Sequence, residues 1–72
     1  MEAVMEQIQT WPDQGYAERQ ETIVNVRRFV LAAMESGNPS AARSILRELQ
    51  AVDLQAWYSL RAEVVGAYGA DV

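Results

Sequence analysis

Apolar residues recur along this chain at helical spacing, and nowhere do they alternate with period two over the length of a strand. Val4, Met5 and Ile8 share one side of an opening segment, which the spacing predicts as a helix over about 2–10. Trp11-Pro12-Asp13 stops it, because a proline ring pushes the preceding residue out of the helical region. After a turn at Gln14-Gly15, the stretch 16–36 contains neither glycine nor proline and is rich in apolar i, i+4 pairs, which predicts a long second helix.

Ser36-Gly37-Asn38-Pro39 then offers glycine for a left-handed helix end, asparagine as the next N-cap and proline for a first helical turn. A third helix follows over 39–50, with Ala42, Ile45, Leu46 and Leu49 on one face. Val52-Asp53 reads as a break, with Asp53 capping a fourth helix over about 54–66 and Val52 stapled against Trp57; the alternative is one helix running straight through. Tyr68-Gly69-Ala70 should fray. The expected fold is all-α, one domain over 1–72 built as a bundle of three to four helices. Its connections are short, so neighbours should be antiparallel.

Plotting the long helix puts Phe29, Ala33, Val26, Val30, Ile23 and Met34 in an arc of about 140°, an ordinary core face. Val24 and Leu31 fall outside it, beyond Arg27, where a surface helix should already be polar. On the last helix Ala56, Ala67, Leu60, Val64, Trp57 and Tyr68 form one stripe, and Leu54, Tyr58 and Val65 form another, with Arg61 between them. Together these span about 200°, more than one neighbouring helix covers. The expected partner-binding residues are therefore Leu54, Tyr58, Arg61 and Val65, joined by Val24, Arg28 and Leu31. The competing expectation is a bundle that wraps the last helix from two sides, so that both stripes are core.

Size strengthens the first expectation. The chain has 72 residues and no cysteine or histidine, so neither a disulfide nor a histidine-bearing zinc site can staple it. A chain this short buries only about 60% of its unfolded surface. Surplus apolar surface, closed by a second copy or by another protein, is the remaining source of stability, and a homodimer is expected. Half the residues are hydrophobic and 22% are charged, a composition that folds.

Ten acids oppose six bases, all arginine, for a net charge of −4. Acids spread among the arginines disfavour a phosphate backbone as partner. The absence of lysine beside eleven alanines points to a GC-rich bacterial or phage genome. No run of 18 apolar residues is present to span a membrane, and Glu2 and Glu6 sit where a secretory signal would be basic and apolar, so a cytoplasmic protein is expected.

Catalysis is not expected. Histidine, cysteine and lysine, the usual groups tuned near neutral pH, are all absent. Glu18 with Glu21, and Glu2 with Glu6, read as solubilising acids, and Ser36, Ser40, Ser44 and Ser59 have no base to activate them. No glycine-rich phosphate loop or metal-ligand spacing appears, so no cofactor or metal is expected. Arg43 and Arg47, one turn apart, read as a solvated face, with an acidic partner or a phosphate as the sharper alternative. Trp11 reads as a plug closing the first turn against the core.

The run 37–42 (Gly-Asn-Pro-Ser-Ala-Ala), then Leu46 and the run 56–60 (Ala-Trp-Tyr-Ser-Leu), resembles part of a tetratricopeptide repeat, with Val26, Phe29, Val30 and Ala33 at its first-helix apolar positions. The likeness covers about residues 26–60. The segment from Asp53 to Trp57 is shorter than that family's inter-repeat loop, and the glycine of its closely packed first helices is missing. One and a half repeats build no concave groove. What the resemblance implies is peptide or protein binding by a helix hairpin.

A helix-turn-helix DNA-binding regulator is the rival, because Ala33 and Gly37 have that motif's spacing. Arg43, however, falls where the motif wants an apolar residue, and Pro39 lies at the turn into the would-be recognition helix. The expected function is therefore a non-enzymatic protein-binding module, an adaptor or inhibitor that docks an apolar helix face with aromatic anchors onto a larger protein.

Overall fold

Each helix of this chain ends where local backbone chemistry ends it. A computed structural model describes residues 2–69. Among them are four α-helices, α1 (Glu2–Gln9), α2 (Tyr16–Glu35), α3 (Pro39–Val52) and α4 (Leu54–Tyr68), with a 3-10 turn at Trp11–Asp13 and no strand. Ala70, expected in the frayed end, lies outside the described residues.

The α2–α3 corner is a Schellman turn. Asn38 N–H donates to Ala33 O at 2.8 Å and Gly37 N–H to Met34 O at 3.2 Å, which satisfies carbonyls that the helix end would orphan. Gly37 makes this possible at φ 78°, a left-handed conformation that a side chain disfavours. Asn38 Oδ1 then accepts from Ala41 N–H at 3.3 Å, and Pro39 begins α3. At the start of α2, Gly15 N–H donates to Glu18 Oε1 at 3.3 Å. That is half of a capping box, since glycine has no side chain to return the bond.

Asp53 is the whole of the α3–α4 connection. Its N–H donates to Leu49 O at 2.9 Å to close α3, and its carboxylate accepts from Ala56 N–H at 3.1 Å to open α4. α3 therefore runs two residues past the expected Gln50. The fourth helix also overruns its expected end, because Gly66 stays helical and Gly69, at φ 92°, supplies the stop.

Ile8, Val26, Val30, Ala33, Ala42, Ile45, Leu46, Leu49, Leu60 and Val64 form the core. α3 is its axis, touching α1, α2 and α4, while α4 lies mainly on α3 and only thinly on α2. Leu60 and Val64 are the buried residues of α4, and Ala67 and Tyr68, expected in the core stripe, are exposed. Tyr68 instead lies near the exposed Glu35 at the end of α2.

α1 is held by a polar latch as well as by Val4, Met5 and Ile8. Gln14 Nε2 donates to Gln7 O at 2.8 Å, and the buried Thr22 Oγ1 lies 2.9 Å from Gln14 Oε1 and 3.0 Å from Glu18 O. Asn25 Nδ2 reaches Gln7 Oε1 at 3.3 Å. Among the described residues no buried side-chain polar atom lacks a partner. Trp11 is buried, and Arg19 donates from Nε and Nη2 to its carbonyl at 3.1 and 3.0 Å while the guanidinium stands 5.3 Å from its ring centroid. Side-chain-to-carbonyl hydrogen bonds and a cation–π contact from one arginine thus fix the turn together. Among the described residues no helix is long and apolar enough to cross a membrane.

Candidate protein-binding surface

Two flanks of α4 have different characters. Residues at about 100° intervals put Arg61 and Glu63 about 200° apart around the helix, so they look to opposite sides. On the Glu63 side, Ile23 and Arg27 of α2 with Ala56, Ser59, Leu60 and Glu63 of α4 line one groove. Positions rise together along both helices, from Ile23 beside Ala56 to Glu35 near Tyr68, so α2 and α4 run in the same direction. Arg27 spans this groove to Glu63, with Nη2 to Oε2 at 2.6 Å and Nε 3.0 Å from each carboxylate oxygen. The hydrogen bond from Arg27 holds the Glu63 carboxyl below its ordinary range, opposed by desolvation and aided by charge attraction to the same guanidinium. Tyr68 is pushed up, first by desolvation and then by the charge and hydrogen bond of Glu35.

The other flank faces α3. There Arg43, Leu46, Arg47 and Gln50 of α3 meet Trp57 and Arg61 of α4 around a groove of ≈ 150 Å³. The Arg61 guanidinium stands 5.9 Å from the Trp57 ring centroid, and the Tyr58 ring approaches Trp57 edge-on at 6.4 Å. Outward from this groove lie Leu54, 62% exposed, and Tyr58, 68% exposed, one turn apart on α4. Large apolar side chains left this open are unusual when adjacent and flanked by Trp and Arg.

The seven residues expected at the partner surface do not form one patch. Leu54, Tyr58, Arg61 and Val65 share the outer α3-side flank of α4, with Arg61 and Val65 half-buried. Val24, 46% exposed, and the exposed Arg28 lie on α2, and the Arg27–Glu63 bridge stands between them and that flank. Leu31 is half-buried and packs against the core.

Trp57 packs on the core and Arg43 and Arg47 are exposed, as the sequence suggests, but the groove they form with one another is not legible in it. Only the hairpin pairing of α3 with α4 brings these residues and Arg61 together. Arg43 is exposed, so the position that a helix-turn-helix would bury is on the surface. Among the described residues no cluster of three or more acidic side chains is arranged to hold a metal ion. Comparison with protein-family models, curated proteins and solved structures finds no match to this chain.

Proposed function

We propose that this chain is a small non-enzymatic protein-binding module of the cytoplasm, an adaptor or inhibitor that docks the outer flank of α4 onto a larger protein. Leu54 and Tyr58 are the anchors, with Arg61 and Val65 beside them. Without a partner, the same flank pairs with a second copy to give a homodimer.

One observation carries this reading: two large apolar side chains, 62% and 68% exposed, stand together on a helix that is otherwise anchored by Leu60 and Val64. Tyrosine and arginine concentrate binding energy at interfaces, tyrosine by offering large contact area at modest entropic cost and arginine by its planar fork of donors. The test is selection from a random-peptide display library, repeated with the Leu54→Asp/Tyr58→Glu variant after its helicity and melting are matched to wild type. Loss of the selected binders is expected. Binders indifferent to both substitutions would remove α4 from the function.

A further inference from the structure

We infer that the α3–α4 groove is a subsite for an acidic peptide segment of the partner, with one apolar side chain seated over Leu46 and Trp57 and flanking carboxylates held by Arg47 and Arg61. This deepens the proposed function and rests on it.

Charge distribution carries the inference. The chain is acidic overall, at −4, yet Arg47 and Arg61 both line one small groove. Among the described residues the nearby acids do not neutralise Arg47 or Arg61. Asp53 caps α4, Glu63 is tied to Arg27 on the opposite flank, and Glu48 follows Arg47 by one residue and so points about 100° away around α3. Among the described residues neither Arg47 nor Arg61 pairs with a carboxylate. Guanidinium groups present paired donors that match a carboxylate in the plane, which ammonium groups do not.

Size selects the kind of occupant. At ≈ 150 Å³ the groove lies below the range of roughly 300–1,000 Å³ typical of small-molecule and cofactor sites, but it accepts one side chain. Its floor is apolar, with Leu46 buried and Trp57 half-buried against the core. Single-stranded nucleic acid is the other polyanion that seeks aromatic and basic side chains. Here Arg61 already covers one face of Trp57 and the ring is packed on the core, which leaves poor access for a stacking base. The acid-rich remainder of the chain also repels an extended phosphate backbone, whereas a short acidic segment feels mainly the arginines nearest to it.

The experiment is a random-peptide display selection on the full chain, run in parallel on wild type, Arg47→Glu/Arg61→Glu and Leu54→Asp/Tyr58→Glu, each checked for unchanged helicity and melting. Arg47→Gln/Arg61→Gln stands in if charge reversal unfolds the protein. Wild type should enrich peptides with an apolar residue flanked by Asp and Glu. The best of these, synthesised with a fluorescent label, should bind at least about tenfold more weakly to the arginine variant and weaken as salt rises.

Binders that need Leu54 and Tyr58 but show neither acid enrichment nor sensitivity to the arginines overturn the subsite and leave the proposed function standing. Binders indifferent to every substitution overturn both. Displacement of the labelled peptide by an oligothymidylate of equal charge, at equal concentration, assigns the groove to nucleic acid and overturns the inference as well.

Discussion

Arg27 of α2 and Glu63 of α4 meet at 2.6 Å across 36 residues of sequence, and theirs is the sole salt bridge among the described residues that joins these two helices. Neither side chain is buried, at 51% and 41% exposed, so the pair is a surface tie open to screening. Because the Glu63 carboxyl is held below its unfolded value of about 4.3, its contribution is complete above that value and is lost as pH falls through the lower, folded one. Wild type should be slightly more stable than Glu63→Gln at neutral pH, and the two should converge in acid. Denaturant titrations across pH check this, with the Arg27→Gln/Glu63→Gln cycle isolating the pair; a gap that ignores pH and salt would refute it.

Two glycines should respond in opposite directions to the same substitution. A Cβ at Gly37 meets nothing within 4 Å, but the residue sits at φ 78°, so Gly37→Ala should cost about 1 kcal/mol through backbone strain alone. Gly66 is helical with equally open space around it, and Gly66→Ala should stabilise by about 0.5–1 kcal/mol. Thermal melts of both variants decide the matter, and equal signs would contradict the account of the helix ends.

Replacing Asp53 by alanine removes the oxygen that accepts from Ala56 N–H and should cost about 1 kcal/mol. Asp53→Asn or Asp53→Ser, which keep an acceptor, should recover most of it. If all three variants melt alike, the cap is not what secures this corner.

The outer flank of α4 contributes little to the fold of one subunit, so at concentrations low enough for wild type to be monomeric Leu54→Asp/Tyr58→Glu should melt within about 0.5 kcal/mol per exposed site of wild type. Its molar mass by light scattering should fall to that of a monomer at concentrations where wild type is heavier. A wild type that remains monomeric across the dilution series would remove the homodimer from the proposal.

Reading from sequence worked where structure is decided within a few residues. Ser36-Gly37-Asn38-Pro39 spells out a left-handed stop, a cap and a restart, and the backbone uses all three. Asp53 was legible for the same reason, as an acceptor placed ahead of an apolar helix. Gly66 misled because one mid-helix glycine costs only about 1 kcal/mol against alanine, too little to end a helix whose true stop lies three residues on.

What depends on helices distant in sequence was not legible. Periodicity gives the width of an apolar arc but not which neighbour covers each edge. Leu31 and Val24 plot together, yet the first packs half-buried against the core and the second is left open. The same limit hid the Arg27–Glu63 bridge, the Trp57 groove and the buried Thr22, whose partner Gln14 lies in the preceding turn.

Because one residue both closes α3 and opens α4, the corner between them has no slack. An inserted residue there could not loop out harmlessly; it would turn everything downstream by about a quarter of a revolution and present Trp57 where Tyr58 now stands. A grip on Leu54 likewise transmits force straight into the central helix, so any occupant of that flank should slow amide exchange in α3 as well as in the surface it touches.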